Sequence, residues 1–191
     1  NLLMQQAENF NEYIEAFEKK LELISINNIS TEAYCKKYLT HILQHKKYYL
    51  EIYADVLQKL IQHSNKNKTS IRLIDFGAGN GLLGIFAKFC GLKKVFLQDI
   101  DEKFVHASEK LAEQLNIKID GFIIGNISLT QAHLQNDIPD AIIGTDVIEH
   151  IYNLGKFLTT LHLINHSIVS VFTTASNPNN YYKVRMLKKM Q

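Results

Sequence analysis

The sequence is short of the features that mark several classes of protein. It has only two cysteines, Cys35 and Cys90, which are far apart and lack a CxxC partner, as is typical of a reducing compartment. No apolar run approaches the roughly 20 residues that a membrane span needs. The formal net charge is only +2, which gives no electrostatic reason to expect nucleic acid or an anionic membrane as a partner. We therefore predict a cytoplasmic protein.

The start of the chain also lacks a recognisable signal. The first ten residues do not have the basic and then apolar layout of a signal peptide, and no initiating methionine is present, so we expect a trimmed chain. The composition, 46% apolar and 21% charged over 191 residues, is that of a globular domain that can bury a core. Nothing in the sequence indicates an oligomeric state.

Two regions of the chain differ in pattern. Residues 1–68 have no glycine or proline, and their apolar residues recur at helical spacing. We predict two or three amphipathic helices there, broken near residues 25–30, with Ser30 or Thr31 capping the next helix. The polar stretch 63–68 predicts a linker.

From residue 71 onward, short apolar runs alternate with helical patterns, which indicates a parallel sheet covered on both faces. Ligands of such sheets bind beyond the carboxyl ends of the strands, where the strand order reverses. Residues 128–136 show no clear pattern. The predicted strands are 71–75, 95–98, 122–124, 141–144 and 168–173, and the predicted helices are 82–90, 101–115 (capped by Asp101), 153–163 and 181–190.

A glycine-rich turn, residues 77–81, follows the first predicted strand directly. Its glycines permit unusual backbone angles and a close approach to a ligand, and Asp75 at the strand end is able to hold a cation or anchor the turn. A second register competes, because residues 79–84 match GxGxxG and Asp99 follows about 20 residues later, as in dinucleotide sites. That register would force Asp75, Gly77 and Ala78 into a buried strand, so we disfavour it.

The Asp-x-Gly-x-Gly-x-Gly pattern of residues 75–81 resembles the first motif of the class I S-adenosylmethionine-dependent methyltransferases. Residues 96–101 look like the second strand of that family, and residues 125–127 match the loop that lies against adenine. Residues 140–150 look like the fourth strand and its loop, in a form similar to the small-molecule enzymes of ubiquinone biosynthesis. The resemblance implies a Rossmann-like, doubly wound α/β sheet over residues 69–191 and an N-terminal helical cap or lid over residues 1–68.

The resemblance also implies that S-adenosylmethionine is the cofactor. Asp99 would bind the ribose, because one carboxylate accepts from two hydroxyls. His150 is the candidate general base, and the alternative is that Glu149 and His150 brace their loop or the helix after it. The implied cofactor-binding residues are Asp75, Gly77, Ala78, Gly79, Asp99, Ile100, Asn126, Ile127 and Thr145, and Asp146 and Glu149 are placed on the substrate side.

The absence of nucleic-acid signatures from the sequence narrows the range of substrate classes. Neither Pro139 nor Pro178 lies in the proline signatures that resemble DNA methyltransferases, and no RNA-binding module is recognisable. We therefore predict methyl transfer to an O, N or C nucleophile of a small molecule, without a nucleic-acid partner. The alternatives are a non-catalytic protein that binds S-adenosylmethionine, and a nicotinamide-dinucleotide-binding protein.

Three further features are a tyrosine cluster, a pair of histidines and the C-terminal end of the sequence. Tyr48, Tyr49 and Tyr53 form either the seam that packs the N-terminal helices on the sheet or a lid over the substrate. No metal is predicted, because nothing completes a ligand set around His41 and His45. The family normally ends with a pair of antiparallel strands, and the chain stops inside the predicted helix 181–190, so we expect that pair to be missing.

Overall fold

The computed structural model describes residues 9–30, 32–134 and 137–174. Within these ranges, three α-helices come first, and five strands then alternate with four α-helices. The helices are α1 (Asn11–Leu21), α2 (Ala33–Gln44), α3 (Lys46–Ser64), α4 (Leu82–Phe89), α5 (Glu102–Leu115), α6 (Ile127–Leu134) and α7 (Leu154–Ile164). The strands are β1 (Arg72–Phe76), β2 (Lys94–Asp99), β3 (Gly121–Ile124), β4 (Ala141–Thr145) and β5 (Val169–Thr173).

The five strands form one parallel sheet in the order β3-β2-β1-β4-β5. The order reverses between β1 and β4, so a crevice opens beyond the carboxyl ends of these two strands. Phe76 at the end of β1 is in register with Gln98, and Asp99 follows on β2. The predicted Rossmann-like parallel sheet is therefore confirmed, and the polar strand ends meet at one edge of it.

Two apolar clusters cover the two faces of the sheet. The larger one joins residues of α1, α2 and α3 to α4, α5 and the sheet, and the smaller one packs α6 and α7 against the other face. Phe17, Leu50 and Leu57 of the N-terminal helices are fully buried in the same cluster as Leu73 and Leu97 of the sheet. The boundary expected at residue 68 lies in a connection, but the helices before it share their core with the sheet.

Most helices begin and end close to the predicted residues, with two differences, in the cap of α2 and in an additional helix, α6. The Asp101 side chain accepts from the Lys103 N–H and caps α5, as expected. Before α2, the Ser30 hydroxyl accepts from the Glu32 N–H, and Glu32 itself is the N-cap residue, without a capping side-chain bond. The segment 128–136, in which the sequence shows no clear pattern, contains all of α6 except its first residue. The predicted helix 181–190 lies outside the described residues.

The connection between α3 and β1 is held at a defined place. Asn65 adopts a left-handed conformation that ends α3, and Lys66 reaches across to Asp140 at 2.6 Å. Asp140, directly before β4, also binds the side chain of Arg72 at 3.1 Å on each of its two oxygens. None of the helices in the described part of the chain is long and apolar enough to cross a membrane.

Candidate active site

The turn between β1 and α4 has the geometry expected of its glycines. Gly77, Gly79 and Gly81 all have positive φ, at 66°, 54° and 76°, and α4 begins immediately afterwards. A Cβ atom on Gly77 would lie 2.3 Å from Cγ2 of Val147 in the loop after β4. Since β1 ends at Phe76, the turn starts at Gly77, and Gly84 lies inside α4. This is the register of the methyltransferase motif rather than of GxGxxG.

Asp75 lies beneath this turn and not in the crevice. Its side chain is 1% exposed and accepts from the Gly84 N–H at 2.8 Å. Burial raises the pKa of Asp75 to about 7, against the effect of the Gly84 bond and together with the charge of Asp99. The direct cofactor contact expected of Asp75 is thus corrected, because its carboxylate holds the first turn of α4. Ala78 is likewise packed against the core, and its N–H donates to the Gln98 carbonyl.

Asp99 occupies the position expected of a ribose-binding acid. Its half-buried carboxylate accepts from the Gly79 N–H at 2.8 Å through one oxygen and from the Asp101 N–H at 2.9 Å through the other. Each oxygen keeps a second lone pair, so the group is still able to accept from two hydroxyls. The acid and the glycine-rich turn therefore form one hydrogen-bonded unit.

Gln98 is a site residue that the sequence reasoning missed. Its side chain is 2% exposed, its Oε1 accepts from the Gly77 N–H at 3.2 Å, and its Nε2 donates to the Gly125 carbonyl. One amide thus joins the turn after β1 to the loop after β3. The signal in the sequence was a lone amide side chain in an apolar strand, next to the acid at the strand end.

These loops surround a cavity of about 830 Å³, within the roughly 300–1,000 Å³ of small-molecule sites. Nine of the residues expected at the site line it: Gly77, Gly79, Asp99, Ile100, Asn126, Ile127, Thr145, Asp146 and His150. Asp75, Ala78 and Glu149 do not, and Glu149 accepts from the Thr174 hydroxyl at 2.7 Å instead. Through this bond Glu149 joins its loop to the residue that follows β5, and its substrate-side role stays a prediction.

The part of the cavity beside the loop after β4, where the sequence places the substrate side, combines polar and apolar groups. His150 is exposed and lies on a short 3-10 turn, Ile148–His150. Asp146, with a φ of 53°, donates its backbone N–H to the Thr173 carbonyl, which ties this loop to β5. Phe76 and Phe157 pack with ring centroids 4.9 Å apart and contribute an apolar wall.

Aromatic side chains of α2 and α3 form the opposite wall. Tyr34 and Tyr38 of α2 and Tyr49 of α3 line the cavity. Of the cluster considered in the sequence, Tyr53 is buried in the core, Tyr49 faces the cavity and Tyr48 is 62% exposed. The packing interpretation of that cluster applies to Tyr53, and a lid role for Tyr49 stays a prediction. A separate hollow of about 610 Å³, bordered by Glu18, Lys46, Lys47 and Glu51, holds none of the expected site residues.

Comparison with known proteins identifies the class of this domain. The family model of the ribosomal protein L11 methyltransferase (PrmA) matches residues 53–163. A ubiquinone biosynthesis O-methyltransferase of Rickettsia akari (strain Hartford) is 26% identical over 112 residues, 58% of this chain and 41% of that protein. A ribosomal protein L11 methyltransferase of Acinetobacter baumannii (strain SDF) is 42% identical over 69 residues, 36% of this chain and 22% of that protein.

A solved structure of a ribosomal protein L11 methylase from Lactobacillus delbrueckii subsp. bulgaricus has a TM-score of 0.45 to this chain at 20% identity, covering 71% of this chain and 66% of that one. The sheet, the turn and the family match together define a class I S-adenosylmethionine-dependent methyltransferase domain. Because the family model matches more than half of the chain, the chain belongs to the ribosomal protein L11 methyltransferase (PrmA) family. It spans less than half the length of the curated relatives described above.

Proposed function

We propose that this chain transfers the methyl group of S-adenosylmethionine to a nucleophile of a small molecule. The observation that carries the proposal is the unit formed by Asp99 and the Gly79 N–H at the carboxyl end of β2. It presents a carboxylate beside bare backbone, in a cavity large enough for a nucleoside–amino-acid ligand and an acceptor. A nucleotide-like ligand needs this combination of a hydroxyl acceptor and an unobstructed turn.

The residues present fit the cofactor. Asp99 would accept from the ribose hydroxyls, and Ile100, 77% exposed, would cover one face of the adenine with Ile127 nearby. The Asn126 Oδ1 already accepts from the Ser128 and Leu129 N–H groups, so its Nδ2 is the group that would donate to an adenine ring nitrogen. Thr145, Gly77 and Gly79 would line the methionine portion.

For methyl transfer, the main task of the protein would be to align the methyl donor with the acceptor. S-adenosylmethionine supplies a methyl group on an activated sulfonium, and displacement by an incoming lone pair needs the two partners in line. The aromatic side chains of α2 and the apolar wall formed by Phe76 and Phe157 would exclude water. His150 would take the proton of an acceptor hydroxyl or amine, and Asp146 would orient the acceptor.

A small-molecule acceptor is supported by the part of the cavity that the family match leaves out. Tyr34, Tyr38 and Tyr49 form its wall, and all three precede residue 53, where the match begins. This wall is therefore not part of the segment that the family model matches, residues 53–163. The second candidate is a protein substrate, which is favoured by the family match, since the relatives named for ribosomal protein L11 act on a protein.

The test incubates the chain with methyl-labelled S-adenosylmethionine and either a metabolite extract or purified ribosomal protein L11. Label in the small-molecule fraction supports the proposal, whereas label on the ribosomal protein supports the second candidate. The Asp99→Ala variant is the matched control, because it removes the ribose acceptor and should abolish labelling. Tight cofactor binding without any transfer would instead show a binding or regulatory protein.

A further inference from the structure

Tyr38 lies directly on the glycine-rich turn. Its Cε1 atom is 3.2 Å from the position that a Cβ on Gly79 would occupy, so the ring is in contact with the bare backbone there. The ring packs edge-on against Phe104 at 5.7 Å between centroids, and Tyr34, one helical turn earlier on α2, packs against the same ring at 5.6 Å. Two tyrosines of one helix face thus reach the mouth of the cofactor crevice.

Specific contacts hold α2 in this position. The Asn80 side chain, 1% exposed, donates to the Cys35 carbonyl at 3.2 Å, directly from the turn to the helix. Lys103 of α5 pairs with Glu32, before the first residue of α2, at 3.1 Å. The place of the Tyr38 ring is therefore set by contacts at the start of α2 and beside its first turn.

The surroundings of Tyr38 suit a cation. Burial, followed by the charges of Tyr49, Asp146 and Asp75, raises the pKa of Tyr38 to about 12, so its phenol is neutral at physiological pH. Asp99, Asp101 and Asp146 line the same cavity. A neutral aromatic ring with acids around it attracts a positive charge placed over its face.

The sulfonium of S-adenosylmethionine would place a positive charge near the Tyr38 ring. Its sulfur joins the ribose, which Asp99 would hold, to the methyl group, which must face the acceptor space near Asp146. Tyr38 contacts Gly79, whose N–H donates to Asp99, and its phenol is within electrostatic range of Asp146, so the ring is near both acids. The sulfur of the product, S-adenosylhomocysteine, carries no charge at this position.

We propose that the Tyr38 ring recognises the sulfonium of S-adenosylmethionine and makes the site prefer the charged methyl donor over the neutral product. This inference rests on the proposed function and adds a specificity residue to it. The preference favours replacement of spent product by fresh donor after each turnover. It comes from α2, which lies outside the family match.

The experiment measures, by calorimetry, the binding of S-adenosylmethionine and S-adenosylhomocysteine to the wild-type chain and three variants. Tyr38→Leu should weaken donor binding about tenfold, or about 1.4 kcal/mol, and product binding less than about twofold. Tyr38→Phe keeps the ring and should change neither. Tyr34→Leu is the matched control, because it removes the neighbouring ring of the same cluster and should affect both ligands alike.

Equal weakening of both ligands by Tyr38→Leu would overturn the proposal in favour of simple packing, and a loss with Tyr38→Phe would assign the effect to the hydroxyl. If Tyr38→Leu does not fold, fluorinated phenylalanines at position 38 keep the shape and reduce the charge on the ring face. Donor affinity should then fall with each added fluorine while product affinity stays constant, and a flat series contradicts the proposal. Failure of the wild-type chain to bind either ligand would overturn the proposed function itself.

Discussion

At the scale of single residues, the site depends on buried polar groups that serve the backbone. Gln98 accepts from the Gly77 N–H and donates to the Gly125 carbonyl, while Asp99 accepts from the Gly79 and Asp101 N–H groups. Neighbouring residues of β2 therefore shape both loops that would surround the cofactor. His150, in contrast, is exposed and lines the cavity, where the proposed function assigns it the acceptor proton.

The Gln98→Leu substitution should weaken both the fold and the site. It leaves the Gly77 N–H and the Gly125 carbonyl without their partner, at a cost of about 1–3 kcal/mol for each buried group that stays unsatisfied. Denaturant unfolding measures the loss of stability, and titration with S-adenosylhomocysteine measures the loss of affinity. Gln62→Leu on the exposed side of α3 is the control. A Gln98→Leu chain as stable as that control would refute the bridging role.

The His150→Gln substitution should act on turnover alone. If His150 takes the acceptor proton, its loss lowers kcat by about 10²–10⁴-fold and leaves cofactor affinity unchanged. Steady-state kinetics and calorimetry separate these two effects. His133→Gln, on the exposed side of α6, controls for the loss of an imidazole elsewhere. Unchanged kcat in His150→Gln would leave the residue only its structural role in the loop.

At the scale of elements, the turn after β1 interlocks with the loop after β4. Val147 fills the space above both Gly77 and Gly144, where added Cβ atoms would lie 2.3 Å and 2.6 Å from its methyl groups. The two loops border the crevice where the strand order reverses. Packing of one valine against two glycines therefore sets the distance between these two loops.

The Gly77→Ala substitution should destabilise this junction in two separable ways. The positive φ of 66° costs about 1–2 kcal/mol for a residue with a Cβ, and contact with Val147 adds a steric cost. The double variant Gly77→Ala, Val147→Ala should recover only the steric part, which thermal unfolding of both variants and of Val147→Ala measures. Additive effects in this cycle would contradict the direct contact.

Asp75 links the end of β1 to α4, and its ionisation should show in the pH dependence of stability. Burial raises the pKa of Asp75 to about 7, so the folded chain keeps this proton up to about pH 7. The unfolded chain, in which the pKa of Asp75 is about 4, loses it near pH 4. Stability should therefore fall between about pH 4 and 7, by a few kcal/mol from this group. Thermal unfolding over this range should give a flatter profile for Asp75→Asn, whose side-chain oxygen still accepts from Gly84; parallel profiles would refute this.

At the scale of the whole molecule, Asp140 joins three parts of the chain. It binds Lys66 after α3 and Arg72 on β1, and it stands at the start of β4. Its side chain is 6% exposed. This junction lies at the amino ends of the strands, away from the cavity, so it serves stability rather than chemistry.

The Asp140→Asn substitution should lower stability at neutral pH and reduce acid sensitivity. Burial opposes ionisation, but the hydrogen bonds from Arg72 and Lys66 prevail and lower the pKa of Asp140 to about 2. The stabilisation, about 2 kcal/mol, is present above about pH 4 and is lost as the pH falls towards 2. Urea unfolding at pH 7 and at pH 3 tests this, with Asp55→Asn, whose partner Lys59 is half-exposed, as the control. Equal losses at both pH values would contradict the linkage.

Much of the fold could be predicted because each strand is a short apolar run, and a glycine or an acid lies at the end of the first four. The α6 segment was not, since its apolar residues do not follow helical spacing and the helix relies on packing against α7 and β3. The contact of Asp75 with the cofactor was predicted wrongly for a related reason. The sequence pattern of an acid at a strand end is the same whether its side chain faces the ligand or the helix behind the turn. The Gly84 N–H decides between the two, and it lies nine residues away.

By itself, the sequence determined the parallel sheet, the register of the glycine-rich turn and the acid at the end of β2, because apolar periodicity and glycine conformation are local properties of the chain. Only the tertiary structure decided that Asp75 is buried, that Gln98 bridges two loops and that Tyr38 lies on Gly79. Those three facts join segments that are distant along the chain, and their positions are set by the packing of one helix or strand on another.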